Sequence, residues 1–181
     1  MGWKLKKTVV LVGMMGAGKT AVGKALAATL GVPFVDSDAE IEAASRMTVA
    51  EIFDRDGETF FRRREAQVIA RLLTDECCIL STGGGAFMQE ANRRNIADKG
   101  VAVWLDVELD LLWKRVRHRD TRPLLRTPDP LGTLAGLYEA RVPVYAQAEL
   151  SVKAEPSYSI QAMADRVIGV LTSRPDVLEE T

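Results

Sequence analysis

Eight residues carry the densest chemistry in the chain: Gly13-Met14-Met15-Gly16-Ala17-Gly18-Lys19-Thr20. Their spacing is G-x-x-x-x-G-K-[ST], between an apolar run, Val9-Val10-Leu11-Val12, and a helix-like segment from Ala21 to Leu30. Glycines let such a loop curl so that several backbone N–H groups point at phosphate oxygens. The helix beginning there adds its positive dipole end. Gly16, Ala17, Gly18, Lys19, Thr20 and Ala21 are thereby expected around the phosphates. Lys19 reaches the β- and γ-phosphates, and Thr20 offers a hydroxyl to Mg²⁺. Strand, loop, Lys-Thr and helix agree, so the chain is expected to bind a nucleoside triphosphate. The acceptor of the phosphoryl group must be read elsewhere.

Three further groups bear on it. Phe34-Val35-Asp36-Ser37-Asp38 places two carboxylates just past a short strand, where alternate residues can serve different groups. A kinase needs one anion for Mg²⁺ or its waters and another to orient or deprotonate the attacking hydroxyl. One of the two can instead cap the following helix. Asp106, at the end of Val101 to Asp106, is a rival for the metal side and equally a cap for a helix starting near Glu108. Thr82-Gly83-Gly84-Gly85, after a third strand, brings backbone N–H groups close to a ligand or simply makes a tight turn. Arg62, Arg63 and Arg64 crowd the start of a long helix, where positive charge is unfavourable, so a use for at least one is expected. A basic stretch from Lys114 to Arg126 spans a proline-bearing loop that could close over a triphosphate and exclude water. Arg122, before Pro123, is its best candidate for chemistry; His118 reads as surface.

These residues need a scaffold. Strands are expected at 8–12, 34–35, 77–81, 101–105 and 150–152. Helices are expected at 20–30, 39–45, from the capping box Thr48-x-x-Glu51, at 58–73, 89–98, 108–117, 131–145 and 159–172. Alternating strands and helices imply an α/β domain with a parallel sheet, whose ligands gather at the carboxyl ends of the strands. One domain is expected over residues 1–173, with a substrate segment near 36–65 and a lid near 117–130. Residues 174–181 read as a polar, frayed tail.

The 181 residues suffice for one core, and a net charge of −1 supplies no global attraction to nucleic acid or membrane. The adjacent Cys77 and Cys78 read as buried free thiols, which suits a reducing cytosol. No signal peptide or spanning segment is expected, and Lys6 spoils a myristoylation pattern at Gly2. A cytoplasmic monomer is the default.

In series, these motifs resemble the shikimate kinase family from about Lys7 to Leu171. They are the glycine loop 13–20, Asp36-Ser37-Asp38, Gly57-Glu58-x-x-Phe61-Arg62-x-x-Glu65, Gly83-Gly84-Gly85, Arg122-Pro123-Leu124-Leu125 and Arg141-x-Pro143-x-Tyr145. The resemblance implies a five-stranded parallel sheet flanked by helices, similar to nucleoside monophosphate kinases. It also implies ATP-dependent phosphorylation of the shikimate 3-hydroxyl, a step towards chorismate and the aromatic amino acids. Carried onto matching positions, Lys19, Asp38 and Arg122 are catalytic, Asp38 serving the acceptor hydroxyl and Arg122 the transferring phosphoryl group. Arg62, Arg141 and Gly83 to Gly85 line the shikimate pocket, Asp36 and Thr20 serve Mg²⁺, and Arg115 stacks on adenine. Residues 153–158 lack the arginine that some members place near adenine.

Arginine forks suit shikimate's carboxylate, and a carboxylate suits its hydroxyls. Gluconate kinase and nucleoside monophosphate kinases share the glycine loop, but the triple glycine and Arg141-x-Pro143-x-Tyr145 favour shikimate. A guanine-nucleotide switch would carry Asn-Lys-x-Asp, and Asn95-Ile96-Ala97-Asp98 lacks the lysine.

Overall fold

The structure, a computed structural model, describes residues 2–118 and 126–181. Its centre is β2 (Thr8–Val12), five residues that are all buried because strands lie on both sides and helices on both faces. β2 pairs in parallel with β4 (Ile79–Ser81) on one side and β5 (Gly100–Asp106) on the other. β3 (Phe34–Asp36) flanks β4 and β6 (Leu150–Lys153) flanks β5, both in parallel, giving the order β3-β4-β2-β5-β6. This is the five-stranded parallel sheet that the alternating pattern implies. The glycine loop after β2, the Asp36 segment after β3 and the triple glycine after β4 all leave the same edge.

Helix α1 (Lys19–Leu30) buries Val22, Leu26 and Leu30, spaced by four, and ends at Gly31, whose N–H donates to the Ala27 carbonyl. α2 (Ser37–Ser45) begins two residues earlier than the sequence suggests, because the Asp36 carboxylate accepts the Ala39 N–H at 3.1 Å. Asp38 therefore sits in the first turn of a helix and not on an extended strand, so strand alternation does not explain how the two aspartates diverge. α3 (Val49–Thr74) opens at Thr48, whose hydroxyl accepts the Glu51 N–H at 3.1 Å, as a capping box requires. Its two parts meet at Gly57, where φ is 85° and ψ 170°, so the expected short and long helices join across a kink. The second part buries Phe61, Val68, Ile69 and Leu72.

A short 3₁₀ turn (Ala86–Met88) follows the triple glycine and leads into α4 (Glu90–Lys99). α5 (Leu109–Val116), α6 (Pro130–Tyr145) and α7 (Ile160–Leu171) complete the helices. α7 packs on α1 and buries Met163, Ala164, Val167 and Leu171.

The frayed tail is corrected. Residues Leu178–Glu180 form β7, which pairs antiparallel with β1 (Trp3–Leu5) in a separate two-stranded sheet. Val177 and Leu178 are buried to within 1% of complete, and Lys6 donates to the Pro175 carbonyl at 2.9 Å. Apolar burial, not the polar composition, decides the order of this segment.

Candidate active site

α1 has no side-chain cap; its N-cap is Gly18 at φ 92°, so its first N–H groups face the loop mouth as ready anion donors. Gly16, at φ 82°, is required for a second reason. A Cβ there would lie 2.7 Å from the Val116 side chain, so α5 seats directly on the loop. The Lys19 ammonium donates to the Gly13 carbonyl at 2.6 Å and to the Met14 carbonyl at 3.0 Å, which holds it over the loop. Arg115, on α5, donates to the Gly16 carbonyl at 3.0 Å. The residue expected at adenine thus borders the phosphate loop, half-buried.

A cavity of about 210 Å³ joins this loop to the acceptor side. It is lined by Gly16, Gly18, Lys19 and Thr20 from the loop, Asp36 and Asp38 beyond β3, and Thr82, Gly83 and Gly84 beyond β4. Thr82 fastens that edge through its hydroxyl, which donates to the Leu11 carbonyl at 3.0 Å.

Burial, reinforced by the Asp36 carboxylate, pushes the Asp38 carboxyl up to about 6, while Lys19 and Arg62 oppose the rise. Its Oδ1 is buried without a hydrogen-bond partner, an acceptor aimed at something other than the protein. Asp36 spends one oxygen capping α2 and still borders the cavity. The capping alternative for this residue is therefore observed, and the cap leaves its carboxylate at the cavity edge.

The triple glycine has a specific geometry. A Cβ at Gly83 would lie 3.0 Å from both Asp38 carboxylate oxygens, and one at Gly84 would lie 2.8 Å from Arg141 Nη1. One at Gly85 would collide with the Arg62 guanidinium. Each glycine thus faces one of the three polar side chains expected at the acceptor, and a bare backbone lets all three close in. A simple tight turn does not account for this.

Two residues outside the expected site support it. Glu65, almost fully buried, accepts from Arg62 Nη1 at 2.9 Å, and Glu58 lies 3.6 Å from Arg62 Nε. Burial raises the Glu65 carboxyl and Arg62 opposes it. Tyr145, also fully buried, donates to the Gly84 carbonyl at 2.5 Å. Both stand in the motifs that carry the resemblance, without a role assigned there, and helical spacing adds the physical signal: Glu65 three residues after Arg62 and Tyr145 four after Arg141.

Other expectations fall outside the cavity. Asp106 lies at the end of β5 opposite Lys153, its carboxyl raised by burial, and it is not among the cavity residues. Nor does it cap: α5 begins at Leu109 after Glu108 without a side-chain cap. His118 is exposed, Cys78 is buried and Cys77 half-buried, and both thiols are free. Arg122 and the segment 119–125 lie outside the described residues. A hollow of about 300 Å³ between α4, β5 and the turn after α6 holds none of the expected site residues. Among the described residues no cluster of three or more His, Cys, Asp or Glu could hold a metal, and no helix is long and apolar enough to cross a membrane.

Comparison with known proteins gives this geometry a family. The family model described as shikimate kinase matches residues 15–172. The chain is 66% identical to the shikimate kinase of Ruegeria pomeroyi, over 97% of this chain and 90% of that one. It is 64% identical to that of Cereibacter sphaeroides, over 97% and 88%. Among solved structures, shikimate kinase from Acinetobacter baumannii in complex with shikimate matches with a TM-score of 0.87 and 36% identity, over 92% of this chain and 93% of that one. With the glycine loop, the paired aspartates, Gly83 and Gly84 around one cavity, and Arg62 and Arg141 behind Gly85 and Gly84 and not among its lining residues, the chain belongs to the shikimate kinase family.

Proposed function

We propose that Lys19, Asp38, Arg62 and Arg141 carry out in this cleft the ATP-dependent phosphorylation of the 3-hydroxyl of shikimate, giving shikimate 3-phosphate and ADP. The observation that carries the assignment of roles is the pairing of each glycine in Gly83-Gly84-Gly85 with Asp38, Arg141 or Arg62. A small acceptor with one carboxylate and several hydroxyls matches two guanidinium forks, one carboxylate and bare backbone.

The loop amides and Lys19 hold the β- and γ-phosphates in line with the acceptor. Arg62 and Arg141 grip the substrate carboxylate, which fixes the ring and turns its 3-hydroxyl towards Asp38. The unpartnered Oδ1 of Asp38 accepts that hydroxyl. The bond from the acceptor oxygen to Pγ forms as the bond from Pγ to the bridging oxygen breaks. ADP leaves with the electron pair, and the hydroxyl proton passes to the Asp38 carboxylate. Most of the gain comes from positioning and charge, since a loose transition state needs little covalent help.

A kinase of this family implies a divalent metal. Thr20 and Asp36 offer hydroxyl and carboxylate oxygen, donors suited to a hard cation, and too few of them for a complete protein cage. Mg²⁺, which keeps waters and substrate phosphates as ligands, suits that set, and when bound it supplies neutralisation of phosphate charge. Arg115 is assigned to adenine and Arg122 to the transferring group as the lid arginine within residues 117–130, on the strength of the motifs alone. One domain that includes the terminal strand β7, monomeric and cytoplasmic, is the setting we assign; the free thiols are at home in a reducing compartment.

The test is ADP release with Mg²⁺ and candidate acceptors. Shikimate should stimulate it, whereas gluconate and nucleoside monophosphates should not. Stimulation by one of those in place of shikimate would overturn the assignment.

A further inference from the structure

The backbone that faces the acceptor is held from outside the cavity by three side chains. Tyr145 Oη donates to the Gly84 carbonyl at 2.5 Å, Asn92 Nδ2 to the Ala86 carbonyl at 2.9 Å, and Arg93 Nη1 to the Phe87 carbonyl at 2.7 Å. Asn92 and Arg93 fix the 3₁₀ turn that follows the glycines. Tyr145 alone among the three bonds a glycine of the triplet.

Tyr145 is also tied to the substrate arginine. It lies four residues after Arg141 on α6, so the two side chains share one helix face. A Cβ at Gly84 would meet Arg141 Nη1 at 2.8 Å and the Tyr145 oxygen at 3.7 Å, so both side chains approach the same glycine. Burial pushes the phenol up to about 12 against the charge and hydrogen bonding of Arg141. The hydroxyl therefore stays protonated and keeps its donor. The ring is fixed independently, stacked on Trp104 with centroids 6.3 Å apart. A rigid ring delivers its hydroxyl to one place, which is what a spacer requires.

We propose that Tyr145 is a positioning residue for the acceptor: its hydroxyl, set between the Gly84 carbonyl and the Arg141 guanidinium, fixes the distance from the glycine backbone to the arginine that grips the substrate carboxylate. The proposal rests on the reading of Arg141 given above. Tyr145 touches neither substrate in this scheme. It acts on shikimate through Arg141 and Gly84, and it leaves the nucleotide loop alone.

The experiment uses the full chain with ATP, Mg²⁺ and shikimate. Tyr145→Phe keeps the ring and removes only the hydroxyl. Its KM for shikimate should rise roughly 5–10-fold, the scale of one lost buried hydrogen bond, with KM for ATP changed less than about twofold. Val167→Ala, in the core between α7 and α1, serves as the control for loss of stability alone. It should lower the melting temperature without moving KM for shikimate. In an Arg141→Ala background the further effect of Tyr145→Phe on shikimate should shrink, because the hydroxyl still holds the Gly84 carbonyl but no longer spaces it from a guanidinium. An unchanged KM for shikimate in Tyr145→Phe overturns the proposal, as does an equal rise for ATP or a full effect in the Arg141→Ala background. If Arg141→Ala alone leaves KM for shikimate unchanged, the reading of Arg141 fails instead.

Discussion

Asp38 and Gly83 are close enough that a single methyl group between them would touch both carboxylate oxygens at 3.0 Å. The residues come from different elements, α2 and the turn after β4, and meet only because β3 and β4 are neighbours in the sheet. Gly83→Ala tests the contact with the smallest possible probe. The carboxylate must give way by a few tenths of an ångström, and hydroxyl alignment tolerates little of that. Turnover per KM for shikimate should fall on the order of 10-fold, with KM for ATP nearly constant. Unchanged kinetics would show that Asp38 has slack.

Asp38→Asn separates chemistry from stability. Losing the anion should cut turnover by roughly 10²-fold or more while sparing ATP binding. The stability effect runs the other way. A carboxyl lifted to about 6 in the folded protein binds its proton more tightly there than in the unfolded chain. Stability is therefore highest below the unfolded value near 3.8 and is lost as pH rises through about 6. The strain on the ionised site corresponds to roughly 3 kcal/mol as an upper figure. In metal-free, nucleotide-free protein, Asp38→Asn should melt above the parent at pH 8, and the gap should narrow towards pH 4. A lower melting temperature at pH 8 would contradict the burial argument.

The sequence speaks clearly where a local pattern carries the physics and poorly where the contact is long-range. The glycine loop is legible because Gly16, Gly18, Lys19 and Thr20 act within one strand-to-helix turn. Helix α1 and strand β2 are legible because period and apolar run agree with their burial. The start of α2 is misread because the Asp36 cap moves Asp38 from an extended segment onto a helix. The β1–β7 pair is missed because Trp3 and Glu180 stand at opposite ends of the chain, in runs too short and polar to show alternation. Charge crowding alone does not say which arginine of Arg62, Arg63 and Arg64 is used; the family motif singles out Arg62, and the structure shows a physical reason. Arg62 is chosen by the buried Glu65 beneath it, while Arg63 and Arg64 stay exposed.

That choice carries its own prediction. Arg62→Ala should weaken shikimate binding and also leave Glu65 buried without its partner. Breaking such a pair costs about 3–5 kcal/mol when the remaining charge must stay ionised. Glu65 has another course, since burial already raises its carboxyl above 4.5 and Arg62 is what opposes the rise. Without Arg62 the folded state holds that proton more firmly, so stability is kept at low pH and lost as pH rises. Denaturant titrations should show a large deficit for Arg62→Ala at pH 8 and a smaller one at pH 5. An equal deficit at both would mean that Glu65 never protonates.

Lys19→Ala removes the ammonium expected at the phosphates and two bonds to the loop carbonyls of Gly13 and Met14. Nucleotide affinity measured by calorimetry should fall by roughly 10²-fold, with shikimate binding in the absence of nucleotide kept within about threefold. Chelation of divalent metal should abolish turnover in the parent, and Mg²⁺ should restore it. Turnover in the presence of excess chelator would remove Thr20 and Asp36 from the metal role.

The terminal clasp is remote from the cleft, and its removal should separate stability from catalysis. Truncation after Asp176 deletes Val177 and Leu178, which are almost entirely withdrawn from solvent, together with the strand that pairs with β1. The two side chains account for roughly 3–5 kcal/mol of burial. The ion pair of Lys6 with Glu179 is surface-exposed and adds little. Among the described residues, none deleted lines the cavity that holds Lys19 and Asp38. Well below its lowered melting temperature, the truncated chain should keep turnover and both KM values within about twofold of the parent. A selective loss of shikimate affinity at that temperature would mean that strain at the clasp reaches the triple glycine through β2 and β4.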